Sequence, residues 1–209
     1  CGFGSFLKFA AERYGVTGVG ISISEEQVAY AKKNVEGLPI EIRLQDYRDV
    51  TGMFDHVTSI GMVEHVGPKN FREYFEIARR VLNDDGLFLL HTIGSPVSTN
   101  AIDAWLDKYI LPHGVLPSTA QLGTAIEDLF VIEDWHNFGS DYDKTLLAWF
   151  KNFDAAWPKL KQAYGGDRFY RMFKYYLLTC AGGFRARRIQ LWHLVLSKKG
   201  VLDGYTIAR

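Results

Sequence analysis

Apolar residues recur at helical spacing from residue 5 to 13, where Phe6, Leu7, Phe9 and Ala10 share one side before Tyr14 and Gly15 stop the run. Residues 16–23, VTGVGISI, are β-branched and punctuated by glycine, which predicts a strand. The next stretch, SEEQVAYAKKNV, predicts a helix with Ser24 as N-cap and Gln27 three positions on as the other half of a capping box. Strict alternation over 40–45 and the run 54–62 predict two more strands. Between them and the next strand, residues 70–82 form an amphipathic helical pattern with 83–86 as its turn. Residues 86–93, GLFLLHTI, are continuously apolar until a His-Thr pair, as in a strand buried on both faces.

Strand and helix alternate throughout this part, which implies an α/β fold with a mostly parallel sheet, helices on both faces and right-handed crossovers. The alternation stops after His91. A helical insertion around 101–109, a segment bounded by Pro112 and Pro117, a helix from Ser118 and the run LFVIEDW follow. Two aromatic-rich helices at 142–157 and 167–186 precede a closing strand, QLWHLVLSK. The elements at 95–127 and 141–187 are expected to hold the substrate. The opening CGFGS is a Gly-x-Gly turn running into a helix, which ordinarily leaves a central strand, so a first strand is expected to lie before Cys1 and outside this sequence.

With 209 residues, 47% of them hydrophobic and 14% aromatic, the chain can bury a sizeable core and reads as one domain over 1–209. Lys+Arg and Asp+Glu both number 24, so no net field draws in nucleic acid, and no nucleic-acid partner is expected. The one dense basic run, Arg185–Arg188, reads as a solvated helix end or as a contact for phosphate or lipid headgroups. Cys1 and Cys180 are too far apart in sequence for a metal-ligand spacing, so no metal site is expected and a reducing compartment is favoured. No apolar run reaches the roughly 20 residues that span a bilayer, and none reads as a signal peptide. The expectation is a cytoplasmic protein without an evident amphipathic anchor.

Ligands of open α/β sheets sit beyond the carboxyl ends of the strands. The strands deliver Gly2 and Gly4, then Ser22 leading to Gln27, then Gln45, Asp46 and Tyr47, then Gly61, Met62, Glu64 and His65, and finally His91, Thr92 and Ile93. A dinucleotide site needs G-x-G-x-x-G and an acid ending the second strand. Leu7 and Ser22 stand at those places, which disfavours hydride transfer. A nucleoside cofactor without a pyrophosphate fits the turn better, with Asp46 and Tyr47 as acceptor and stacking face for a base, or as a plain surface turn. Glu64 and His91, a carboxylate and an imidazole at neighbouring strand ends, suit proton chemistry.

These blocks, with SIGMVEHVGPKN, LLHTIG, YILPHGVLPS, EDWHNFGSDYDKTLLAW and YLLTCAGGFRARRIQLW in that order, resemble the cyclopropane-fatty-acyl-phospholipid synthases and, more distantly, the mycolic acid cyclopropane synthases. The resemblance runs the whole length of the chain. It implies a Rossmann-like class I S-adenosylmethionine-dependent methyltransferase fold. In the activity it implies, a methyl group passes from S-adenosylmethionine to a cis double bond of an unsaturated phospholipid acyl chain, and bound bicarbonate deprotonates the resulting cation. By the same resemblance Glu64, His91, the backbone of Ile93 and Tyr142 hold the bicarbonate, and Cys180 lines the acyl channel. Gly2 and Gly4 meet the methionine part of the cofactor, Ser22 and Gln27 the ribose, Asp46 and Tyr47 the adenine, with Gly61 joining the cofactor set. Phe153, Trp149, Phe173, Tyr175, Tyr176 and Phe184 are candidates for aromatic faces around a cation, or for ordinary core packing.

The sequence departs from that family at Phe3, where Trp is usual, and at Val63, where Phe is common before the Glu. A further cysteine contact and a lipid-handling domain of the family lie upstream of the turn. The resemblance also implies transient contact with a membrane surface, at its inner face, and leaves a homodimer open. Two rival readings remain: a relative whose cation ends as a methyl branch or a hydroxyl, and a non-catalytic lipid- or nucleoside-binding module. The intact Glu64 weighs against the first, because the hydroxylating branch tends to lose that carboxylate. Intact Glu64, His91 and Tyr142 weigh against the second.

Overall fold

The computed structural model describes residues 1–207, so the expected domain of 1–209 ends on two residues outside the described ones. Helix α1 (Ser5–Tyr14) leads into β1 (Gly18–Ser22), α2 (Glu25–Asn34) and β2 (Ile40–Leu44). Then come β3 (Phe54–Ile60), α3 (Phe71–Val81), β4 (Leu82–Gly94), α4 (Ala104–Tyr109) and α5 (Thr119–Ile126). The chain continues with β5 (Val131–Asn137), α6 (Gly139–Leu160), α7 (Asp167–Arg185) and β6 (Gln190–Ser197). Strands β1 and β2 pair in parallel as one ladder, and a second sheet has the order β3-β4-β6-β5. In it β3 and β4 are parallel, and β6 is antiparallel to both β4 and β5, so β6 is the one reversed strand. No described strand pairs with the outer edges of β1 and β3.

The four-stranded sheet is covered on both faces, and strand alternation decides which side chain goes where. Phe88, Leu90, Trp192, Leu194 and Leu196 face α3 and α5, where Phe75, Leu122 and Ile126 meet them. Phe75 and Phe88 are fully buried there, which stabilises by about 1.5–3 kcal/mol each. The opposite face packs Leu191 and Ile93 against Leu146, Leu177 and Phe184 of α6 and α7. That second layer carries the acyl-side candidates.

Two local expectations are corrected. Ser24 does cap α2 by accepting from the Gln27 N–H at 3.2 Å, but the Gln27 side chain does not return the bond. Ser22 has taken both partners: its hydroxyl donates to Gln27 Oε1 at 2.8 Å and accepts from the Ser24 N–H at 3.2 Å. A full box forms instead at the start of α5, between Ser118 and Gln121. The expected turn at 83–86 is part of β4, where the register jumps from Phe54 opposite Leu82 to His56 opposite Leu87. Asn83 Nδ2 donates to Asp55 Oδ1 at 2.8 Å and Lys198 and Lys199 both reach Asp84, so the polar residues lie along the sheet as a bulge rather than turning away from it.

Candidate active site

The opening turn puts Gly2 at φ 53° and Gly4 at φ 78°. Gly4 also touches α2: a Cβ there would lie 3.2 Å from the Cβ of Ala31, so both conformation and space call for glycine. No side chain among the described residues caps α1, which leaves its first N–H groups turned outward at the end of the turn. Beside it, the Ser22–Gln27 pair fixes the end of β1.

Asp46 caps the 3-10 turn Tyr47–Asp49 and binds Arg48 through both oxygens, Arg48 Nε to Oδ1 at 2.9 Å and Nη2 to Oδ2 at 2.7 Å. The Arg48 side chain, seconded by its backbone N–H, holds the Asp46 carboxyl down at about 2. Tyr47 sits edge-on to the buried Tyr74, ring centroids 5.9 Å apart. Nothing in the sequence pattern singles out Arg48 for this part.

At the end of β3, Gly61 donates to the His91 carbonyl at 3.0 Å and then turns at φ 60°, which starts the 3-10 turn Val63–His65. That turn buries Glu64 to 6% exposure. Glu64 Oε1 accepts from the Ile93 N–H at 2.8 Å, and its carbonyl accepts from the Val115 N–H at 2.8 Å. Oε2 has no hydrogen-bond partner among the described residues. Burial raises the Glu64 pKa, against the opposing pull of its own and Ile93's backbone N–H, Thr92 and His65. The expected backbone contribution of Ile93 is therefore directed at Glu64, whose Oε1 its N–H anchors, while the Thr92 hydroxyl near the carboxyl is itself bonded to the Ile93 carbonyl at 3.0 Å.

His91 and Ile93 share a face of β4. The Ile93 side chain packs in the α6/α7 layer with Tyr142, Phe138 and Cys180. Tyr142, near the start of α6, lies edge-on to Phe184 at 5.0 Å, and burial with the nearby Glu64 and Cys180 raises its phenol pKa. His91 packs on Phe138 at 6.2 Å and places Nδ1 2.6 Å from His193 Nε2. Burial, helped by His193, pushes the His91 imidazole down to about 4, so it is neutral near pH 7. Burial pushes the Cys180 thiol up to about 11, far from a thiolate nucleophile.

Ile93, Tyr142 and Cys180 thus pack in one layer beside the end of β4, Glu64 is tied to it through the Ile93 N–H, and His91 lies two residues back on the same strand face. Phe153, Phe173 and Tyr176 pack in the same layer between α6 and α7, with Phe153 and Phe173 edge-on at 4.9 Å, whereas Tyr175 is 53% exposed on the outer side of α7, edge-on to Trp105 at 4.5 Å. In the basic run, Arg185 ends α7 and is paired with Asp143 at 2.9 Å, Ala186 interrupts the charges, and Arg187 and Arg188 are exposed beyond the helix. No sequence pattern picks out His193 or Trp105. Both contacts depend on which residues stand opposite each other across elements far apart in the chain.

A sheet ordered β3-β4-β6-β5 with β6 reversed, helices on both faces and these groups at the strand ends define a Rossmann-like class I S-adenosylmethionine-dependent methyltransferase fold. A mycolic acid cyclopropane synthase crystallised with SAH and CTAB matches 95% of this chain and 75% of its own at TM-score 0.86 and 25% identity. A cyclopropane synthase from Mycobacterium tuberculosis matches the same shares at TM-score 0.86 and 23% identity, a likeness of fold. Residues 1–194 match the mycolic acid cyclopropane synthetase family, and the chain belongs to it. It is 52% identical over 209 residues to the cyclopropane-fatty-acyl-phospholipid synthase of Escherichia coli (strain K12), covering 100% of this chain and 54% of the relative. It is 34% identical over 218 residues to a probable fatty acid methyltransferase of Pseudomonas putida, covering 98% of this chain and 55% of that one. The chain spans about half the length of the curated relatives it matches.

Proposed function

We propose that the protein is an S-adenosylmethionine-dependent cyclopropane synthase acting on cis double bonds of unsaturated phospholipid acyl chains. The observation that carries this reading is the buried Glu64 carboxyl, held by Ile93 through one oxygen and unpartnered among the described residues at the other. A buried polar atom without a partner costs about 1–3 kcal/mol, so the free Oε2 fits a site that receives a polar ligand. In this reading a small oxygen anion is held by the buried Glu64 carboxyl, whose pKa burial raises, by the neutral imidazole of His91 and by the phenol of Tyr142.

In the reaction the S–CH₃ bond breaks as the alkene π pair forms a new C–C bond, leaving a cation on the chain and S-adenosylhomocysteine. Loss of a proton from the added methyl lets that C–H pair close the ring. Bicarbonate, when bound, supplies the small base for that proton. Glu64, His91 and Tyr142 hold and orient it, and Ile93 fixes the angle of the Glu64 carboxyl. Phe153, Phe173 and Tyr176 keep water away and offer ring faces to the cation. Gly2, Gly4 and Gly61, the Ser22–Gln27 pair, Asp46 and Tyr47 take the donor, with Cys180 as a neutral wall of the acyl side.

The enzyme works from the cytoplasm at the inner membrane face, in transient contact with it. Supporting this, Trp105, Tyr109, Tyr175, Met172, Arg168 and Arg171 line an outer cleft of about 280 Å³ between α4 and α7. Neither arginine there has an acidic partner among the described residues. Among the described residues no helix is long and apolar enough to cross a membrane. Mass spectrometry of lipids from cells expressing the gene tests the reading: unsaturated chains should gain one CH₂, and oxidative degradation should identify a ring. A methyl branch or an added hydroxyl would overturn it.

A further inference from the structure

His193 of β6 stands directly across the antiparallel ladder from His91 of β4. The rings meet at a centroid distance of 4.8 Å, with His91 Nδ1 and His193 Nε2 2.6 Å apart. Two imidazole nitrogens at that separation must hold one proton between them, since two lone pairs would repel and two N–H groups would collide. One ring donates and the other accepts. Phe138 packs on both, at 6.2 Å from His91 and 4.4 Å from His193.

The direction of that bond decides what His91 offers on its other nitrogen. A neutral imidazole carries a single N–H. If His91 donated its Nδ1 proton to His193, Nε2 would present a lone pair and repel an anion. If His193 is the donor, the His91 proton sits on Nε2 and can be donated to an oxygen anion. We propose that His193 is a positioning residue whose Nε2–H donates to His91 Nδ1, locking His91 in the Nε2–H form that serves as a donor to the anion held beside Glu64. Both the anion part and the direction of the bond rest on the function proposed above, whereas the contact between the rings does not. Around His193, burial and then His136 on β5 pull its pKa down while Asp134 on the same strand pulls it up, with a net lowering.

The direction is read by ¹⁵N NMR of protein labelled in histidine. His91 should show a protonated Nε2 and an accepting Nδ1, with a scalar coupling from that Nδ1 to His193 Nε2. A protonated Nδ1 on His91 overturns the proposal without any variant being made. In steady-state assays, His193→Leu, which cannot donate, should raise the half-saturating bicarbonate concentration roughly 10-fold and leave the KM for S-adenosylmethionine unchanged. His193→Gln, which can donate, should restore most of that loss. Equal effects of Leu and Gln, or a matching shift in the methyl-donor KM, reduce His193 to packing and overturn the positioning role. Turnover that ignores bicarbonate altogether strikes the proposed function, and the NMR result still decides the direction of the bond.

Discussion

The backbone N–H of Ile93 holds one oxygen of Glu64 at 2.8 Å while the other oxygen of the same buried carboxyl has no partner among the described residues. One oxygen is anchored to the backbone, and the other is buried without a partner among the described residues. Glu64→Gln keeps an acceptor for Ile93 but replaces the ionisable oxygen. General acid–base groups contribute about 10²–10⁴-fold, so turnover should fall at least about 100-fold. The dissociation constant for S-adenosylmethionine, measured by calorimetry, should stay within about 2-fold, because in the proposed reaction the carboxyl holds the base and not the sulfonium. Unchanged turnover on labelled lipid vesicles would remove Glu64 from the mechanism.

The histidine pair gives stability a definite pH slope. His91 is held at about 4, below its ordinary 6.5, and His193 is also lowered. Between those values the unfolded chain binds protons that the folded chain refuses, so stability falls as pH falls through 6.5 toward 4. Glu64 has the opposite sign, since its pKa is raised: the folded state binds the extra proton, and its cost grows as pH rises. Urea midpoints should therefore drop from about pH 7 to about pH 5, and drop less steeply in His91→Gln. Identical slopes for both proteins would mean that His91 titrates as it does in the unfolded chain.

The two S-x-x-Q sequences show how far local pattern carries. Ser24 and Gln27 have the same spacing as Ser118 and Gln121, yet the second pair alone closes the box, because Ser22 competes for both partners of the first. Ser118 is also 2% exposed and its hydroxyl lies 2.6 Å from that of Ser98. Ser118→Ala should cost about 1–2 kcal/mol in chemical denaturation, and Ser24→Ala about half of that, since its lost bond ends an exposed helix. Equal costs would show that the reciprocal bond adds nothing.

The same distinction separates what was legible in the sequence from what was not. Helices and parallel strands follow from spacing along the chain, and the glycine turn, Glu64 and His91 stand at strand ends that this spacing locates. The His91–His193 contact, the Trp105–Tyr175 contact and the run of residues 83–86 inside β4 depend on register between distant segments. A one-residue slip of β6 would send His193 to the opposite face, and nothing local in QLWHLVLS excludes that slip.

Cys180 should behave as an inert thiol. With its pKa at about 11, roughly one molecule in a thousand carries the thiolate at pH 8. Iodoacetamide should leave Cys180 unlabelled in the folded protein, and Cys180 should react at an ordinary rate only after unfolding, as followed by peptide mass spectrometry. Cys180→Ala should keep turnover within about 10-fold, because a wall residue contributes shape and not chemistry. Rapid alkylation of Cys180 in the folded protein would instead mark it as reactive.

In the proposed function the cleft between α4 and α7 meets the phospholipid surface. Trp105 and Tyr109 are aromatic with polar edges, and the two arginines are exposed and have no acidic partner among the described residues. Lys108 and Lys174 lie over the rings of Tyr109 and Tyr170 at 5.3 and 5.7 Å. The chain as a whole balances 24 basic against 24 acidic residues, so this charge is local and directional. Each basic residue at an anionic surface contributes about 1 kcal/mol. The double substitution Arg168→Glu with Arg171→Glu should therefore weaken sedimentation with phosphatidylglycerol vesicles at least about 10-fold and raise the KM for vesicle substrate, while turnover on detergent-dispersed lipid stays unchanged. High salt should weaken the unsubstituted protein's binding and bring the two proteins together, because the term is electrostatic. Equal vesicle binding by the two proteins at low salt would place the membrane contact elsewhere on the surface.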